Sequence, residues 1–211
     1  MQAPGLADVS TSTTPVAVLV IGRSENVLTE TVDILRAHGQ TAGATNDFAN
    51  ILVSFDPTLL DTVVFGGMVP PHTKQALRKQ LRTANPDIDF IQGLAGIPGL
   101  IAAQIQAAAT SPDDETSAVT YDPDDRVLTF SIESSQTVRV TGYWATSFLP
   151  PEPASTSEVI LEETLQPGIH TISLPASFPT IASFVVVHVG TRVVPFTIGA
   201  MPRMDILPPP E

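Results

Sequence analysis

The sequence predicts an α/β domain built on a parallel sheet of strand order 2-1-3-4, followed by an all-β domain that forms an antiparallel β-sandwich. Up to residue 109, short apolar runs that end at glycine alternate with helical patterns, which is typical of buried parallel strands joined by helices. Beyond residue 117, alternating runs rich in Val, Thr, Ile and aromatic residues follow one another between turn residues, which is typical of a sandwich.

The first half begins with an uninterrupted apolar run, residues 16–21, that stops at Gly22 and predicts a strand buried on both faces. Further strands are predicted over residues 41–45, 62–65 and 87–91, and helices over residues 25–38, from 46 or 47 to 54, 70–83 and 98–109. Right-handed crossovers between these strands give a parallel sheet of the doubly wound, flavodoxin-like kind.

The second half contains seven predicted strands, over residues 118–121, 127–132, 138–144, 159–165, 170–174, 184–189 and 193–198. The predicted organisation is therefore a flexible N-terminal segment (1–14), an α/β domain (15–110), an acidic linker (111–117), a β-sandwich domain (118–200) and a Pro-rich tail (201–211). Without a cysteine pair, the sandwich is expected to be immunoglobulin-like only in its general plan.

Charge and composition exclude several classes of function. The net charge is −12, with 10 basic and 22 acidic residues, so nucleic acid and anionic membranes are not expected partners. The absence of cysteine excludes disulfides, thiolate nucleophiles and cysteine-based metal sites. No apolar run approaches the roughly 20 residues of a membrane span, and no signal peptide is recognisable, so a cytoplasmic protein is expected.

Residues 16–109 resemble the receiver domain of bacterial response regulators. The resemblance is carried by three stretches, which are Val18-Leu19-Val20-Ile21 with the helix start Glu25-Asn26-Val27-Leu28, the run from Thr62 to Pro70, and the run from Leu77 to Ile88. It implies a flavodoxin-like fold, and the same residues also show which receiver functions are missing.

The acidic pair that follows the first strand in receivers is replaced here by Gly22 and Arg23, and Gly66 stands where the phosphoacceptor aspartate would be. Gln92-Gly93 ends the fourth strand in place of a hydroxyl residue, and no lysine follows a fifth strand. The resemblance therefore implies a receiver-like domain that cannot be phosphorylated. We expect no metal site, no cofactor and no enzymatic activity.

Glycines and polar residues at the strand ends form the first candidate site. Because the carboxyl ends of parallel strands share one edge of the sheet, a small anionic ligand or nucleotide is a possible occupant there. The residues of this alternative are Gly22, Arg23, Ser24, Gly66, Gly67, Gln92 and Gly93. The competing interpretation is that glycine ends these strands because the turns require it.

Two further groups suggest protein interaction. Lys74, Arg78 and Arg82 recur at helical spacing and so share one helix face, which is either an ordinary solvated face or a dock for an acidic protein surface. Tyr143, Trp144 and Phe148 lie where a strand meets a Pro-rich segment, either as core or as an adhesive surface. The leading expectation is a non-catalytic interaction, assembly or regulatory module that binds a protein partner or itself.

Overall fold

A computed structural model describes residues 17–109, 119–147 and 154–200. In its first part the elements are β1 (Val18–Ile21), α1 (Glu25–Ala37), β2 (Ala42–Thr45), α2 (Ile51–Ser54), a 3-10 turn (Pro57–Leu59), β3 (Thr62–Phe65), α3 (Pro71–Ala84), β4 (Asp89–Gln92) and α4 (Pro98–Ala109). The segments predicted as a flexible lead-in (1–14), an acidic linker (111–117) and a Pro-rich tail (201–211) lie outside the described residues.

The four strands of this part form one parallel sheet of order β2-β1-β3-β4, and the predicted order is thereby confirmed. Leu19, Ile21, Val63 and Phe65 point to the face covered by α2 and α3, and the alternating residues Val18, Val20 and Val64 point to the face covered by α1 and α4. Burial on both faces explains why these strands are apolar runs without alternation.

The second part contains antiparallel strands, as predicted. They are β5 (Thr120–Asp122), β6 (Val127–Ile132), β7 (Gln136–Ser147), β8 (Ala154–Leu165), β9 (Gly168–Ser173), β10 (Ser183–Val189) and β11 (Arg192–Gly199). Their order is β11-β10-β7-β8 in one sheet and β5-β6-β9 in another. Phe130 of β6, Val140 of β7 and Val187 of β10 belong to one buried core, so the two sheets share an apolar interior.

Helix α4 has apolar contacts on two sides. Its Ile101, Ala102 and Ile105 pack into the core that covers the parallel sheet. Its Leu100 and Ala103 pack with Phe184, Val186 and Val193 of the antiparallel sheet. The helix therefore lies between the parallel sheet and the four-stranded antiparallel sheet and contributes to both apolar cores.

Some predicted boundaries were wrong. The helix predicted from Asn46 or Asp47 begins only at Ile51, because the Asp47 carboxylate accepts hydrogen bonds from the Ala49 amide (3.2 Å) and from the Asn50 side-chain amide (2.7 Å) and closes a polar turn. Strands β7 and β8 are each longer than predicted, 12 residues apiece, because they pair with one another along almost their whole length. Among the described residues, no helix is long and apolar enough to cross a membrane.

Candidate functional site

A cavity of about 300 Å³ opens at the carboxyl ends of β1 and β3, and we call it the switch-point cavity. Strand β1 lies between β2 and β3. The chain therefore passes from β1 to β2 on one side and later adds β3 on the opposite side of β1, so the strand order reverses there. A ligand crevice is expected at this reversal in an open α/β sheet. Five of the sequence-predicted residues line the cavity together, namely Gly22, Arg23, Ser24, Gly66 and Gly67.

The walls of the switch-point cavity are largely apolar. They come from the end of β1, the first turns of α1, Met68 after β3, the loop containing Ala95 and Gly96, and Ile101 of α4. Arg23 is the one charged side chain among the described lining residues. Ser24 is buried, and its hydroxyl caps α1 by accepting a hydrogen bond from the Val27 amide (3.3 Å). A ligand with an aliphatic or aromatic surface complements these walls better than a phosphate does.

The amides of Gly22 and Gly66 are not directed at the cavity. The N–H of Gly22 donates to the Thr45 carbonyl (3.2 Å), and the N–H of Gly66 donates to the Ile21 carbonyl (2.8 Å). These bonds continue the sheet ladder one residue past each strand. Glycine at position 22 allows close packing at the turn, since a Cβ there would lie 3.2 Å from the Leu28 side chain. Because the two amides are engaged in the sheet, they do not bind a phosphate.

Gln92 and Gly93 do not belong to the switch-point cavity. The Gly93 N–H donates to the Phe65 carbonyl (2.9 Å), and the Gln92 side-chain amide donates to the same carbonyl (2.9 Å). The Gln92 side-chain oxygen accepts from Lys74 Nζ (2.8 Å). The loop that follows β4 reaches the cavity only with Ala95 and Gly96, and Gln92 instead lines a second site on the α3 side of the sheet.

This second site is a groove of about 540 Å³ along α3, beside the edge strand β4, and we call it the α3 groove. It contains the predicted face Lys74, Arg78 and Arg82, together with Lys79, and within the described part of the chain no acidic side chain lines it. Four of the ten basic residues of the chain therefore border one groove. Among the described residues no ion pair reaches any of these four side chains.

Aromatic rings hold the guanidinium groups in place. The Arg78 guanidinium carbon lies 5.3 Å from the Phe65 ring centre and 5.8 Å from that of Phe90, and that of Arg82 lies 5.1 Å from the Phe90 ring centre. The two rings stack with centroids 6.0 Å apart. Contacts of this kind orient a cation without neutralising it, so the groove keeps its positive charge.

Lys74 is the most enclosed lysine of the groove. Its burial lowers the pKa of the ammonium group, and the nearby Arg78 charge lowers it further. The Nε atom of Arg78 is buried without a hydrogen-bond acceptor. Both observations describe positive charge that is packed against a protein wall and has no acidic partner there.

No protein-family model matches this chain, and a search of curated proteins finds no similar sequence.

The predicted aromatic cluster does not form one surface among the described residues. Tyr143 and Trp144 point to opposite faces of β7, as adjacent strand residues must. Tyr143 packs against α4, where a Cβ on Gly99 would lie 2.5 Å from its ring, and Trp144 meets Phe178 edge-on at 5.5 Å. Phe148 lies outside the described residues. Both described rings are thus partly buried inside the chain.

A third cavity, of about 430 Å³, lies between α4 and β7. Burial raises the pKa of the Tyr143 hydroxyl, and burial lowers the pKa of His188, with Arg139 and His38 lowering it further. Arg139 is paired with Glu162 at 3.9 Å, with both side chains about half exposed. Since a depressed pKa keeps His188 neutral over a wider pH range, this cavity carries less positive charge than its residue types suggest.

Proposed function

We propose that this chain is a non-catalytic protein-interaction and assembly module, and that its α3 groove binds an acidic segment of a protein. One observation carries the proposal: on a chain of net charge −12, four cations line a single groove in which none of the described lining residues is acidic. An acidic protein surface complements that charge and would be steered to it at low ionic strength.

The polar side chains at the two sites already make hydrogen bonds within the chain, which favours a binding role over a catalytic one. The Ser24 hydroxyl is engaged as a helix cap, and the Gln92 amide is engaged with Lys74 and with the Phe65 carbonyl. We further propose a receiver-like class for the parallel-sheet region, incapable of phosphorylation, and an immunoglobulin-like sandwich for the antiparallel region. The sheet order and the shared core of the antiparallel sheets support these assignments.

A second copy of this chain offers a suitable acidic segment. Strand β8 is an edge strand that contains Glu158, Glu162 and Glu163 and no basic residue. Its Val159 is 43% exposed, so the strand also offers apolar surface. Glu162 is paired with Arg139, which leaves Glu158 and Glu163 as the two carboxylates to which no ion pair is assigned among the described residues.

The spacing of two carboxylates on β8 matches the spacing of two cations on α3. A bulge in β8 places Glu158 opposite Gly142 and Glu163 opposite Val138, so the two carboxylates lie on the same face, separated by four steps of the ladder. Four steps of a strand span about 14 Å. Lys74 and Arg82 are eight residues apart in a helix, which spans about 12 Å. Two carboxylates of one copy can therefore meet two cations of another.

Removing groove cations is expected to weaken self-association. In the double variant Lys74→Gln/Arg82→Gln, the dissociation constant should rise about tenfold, because each lost charge pair is worth roughly 0.5–1 kcal/mol. Light scattering across a concentration series at low salt measures the mass against the 22.3 kDa of one chain.

The matched control is Ala76→Glu/Gln80→Glu, which changes the net charge by the same amount at exposed positions of α3 that do not line the groove. This control should associate nearly as well as the wild type. Equal weakening in both variants would attribute the effect to net charge. A wild-type chain that stays at 22.3 kDa up to millimolar concentration would exclude a second copy as the partner.

A further inference from the structure

The switch-point cavity differs chemically from the α3 groove and is separate from it. The groove has four cations among its lining residues, whereas the cavity has Arg23 as its single charged side chain. Gly22, Gly66 and Gly67 are strand-end glycines that line the cavity, and the amides of Gly22 and Gly66 are already bonded within the sheet. These two amides are therefore not available to a phosphate.

The apolar lining comes from several elements that converge on one volume. Val20 belongs to β1, Leu28 to α1 and Ile101 to α4, and Met68 follows β3 with 51% of its surface exposed. An exposed methionine beside buried aliphatic side chains gives the cavity an apolar entrance as well as an apolar floor. Small-molecule sites commonly combine such walls with a few polar groups that fix the orientation of the ligand.

Arg23 supplies the polar end. It is exposed at the turn between β1 and α1, and none of the described residues that line the cavity is acidic. The first helical residue, Glu25, follows two positions later, so the positive end of the α1 dipole lies at the same turn. A guanidinium group at the mouth and aliphatic walls behind it complement a carboxylate whose remaining atoms are hydrocarbon.

We propose that the switch-point cavity binds a small monocarboxylate with an apolar body, and that Arg23 binds its carboxylate. A cavity of about 300 Å³ lies at the lower end of the range for ligand sites, so the ligand is the size of a short-chain fatty acid or a benzoate. Binding to the folded state alone stabilises the chain, so occupancy is measurable without knowledge of a downstream response.

Hexanoate and hexanamide form the test pair, because they share a hydrocarbon chain and differ in charge. Hexanoate at tenfold its dissociation constant should raise the melting temperature by about 4 °C, and hexanamide should bind at least fivefold more weakly by calorimetry. Acetate, which has the charge without the apolar body, should give no shift. Inorganic phosphate and AMP should give none either.

In Arg23→Gln, hexanoate and hexanamide should bind equally, and the affinity for hexanamide should stay at its wild-type value. The matched control is Thr29→Glu, an exposed position of α1 with the same change in net charge that does not line the cavity, and it should retain the preference for hexanoate. Three outcomes would overturn the proposal: no shift with hexanoate, a shift with AMP or phosphate that Arg23→Gln abolishes, or an undiminished preference for hexanoate in Arg23→Gln.

Discussion

Leu100→Ala is expected to destabilise the chain by about 3 kcal/mol, within the 2–5 kcal/mol range for a buried leucine reduced to alanine. The Leu100 side chain is fully buried, and it packs with Phe184 and Val186 of the antiparallel sheet. Removing the Leu100 side chain leaves a cavity between α4 and the antiparallel sheet. Closing that cavity would pull the opposite face of α4 away from the parallel sheet.

Chemical denaturation followed by tyrosine and tryptophan fluorescence and by circular dichroism measures the effect. Because α4 packs on both sides, both probes should report the same single transition, shifted together in the variant. Leu59→Ala is the control, since Leu59 is 47% exposed, and it should cost less than about 1 kcal/mol. Two separate transitions, with one unaffected by Leu100→Ala, would contradict shared packing through α4.

Gly142→Val is the second substitution with a large expected effect, about 3 kcal/mol. A Cβ at Gly142 would overlap the Phe178 ring. That ring is 3% exposed and is held edge-on against Trp144, so it cannot swing aside without displacing the core between the antiparallel sheets.

Gly67→Val is the matched control, because no atom lies within 4 Å of a Cβ built at Gly67. It should change the free energy of unfolding by less than about 0.5 kcal/mol. Thermal unfolding of both variants gives the comparison. A Gly142→Val variant as stable as Gly67→Val would mean that the Phe178 ring has room to move, and that the packing around Trp144 is looser than the structure describes.

The order of the parallel sheet was predictable because its two central strands, β1 and β3, are buried on both faces and each strand ends at a turn. The second packing face of α4 was missed, although a signal for it exists. The helix Pro98–Ala109 contains no charged residue, whereas a helix that covers a single sheet keeps a polar face toward water. An uncharged helix of this length indicates apolar partners on two sides.

The candidate sites were predicted in part. Helical spacing identified Lys74, Arg78 and Arg82 as one face. The Phe90 ring that contacts the guanidinium groups of Arg78 and Arg82 is placed by the register of β4 against β3, which helical spacing cannot reveal. The cavity residues Met68 and Ala95 come from loops without a recognisable motif. Conversely, Gln92 and Gly93 were placed in the ligand site because every strand end was assigned to one rim, whereas both bond to the Phe65 carbonyl and Gln92 also bonds to Lys74.

A charge-swap measurement tests the assembly proposal most directly. Lys74→Glu/Arg82→Glu places acidic side chains in the α3 groove, and Glu158→Lys/Glu163→Lys places basic ones on β8. Each variant alone should remain at 22.3 kDa in light scattering at low salt, because groove and strand then have charges of the same sign. Their equimolar mixture should regain the mass of the wild type. A mixture that stays at 22.3 kDa while the wild type assembles would contradict contact between the α3 groove and β8.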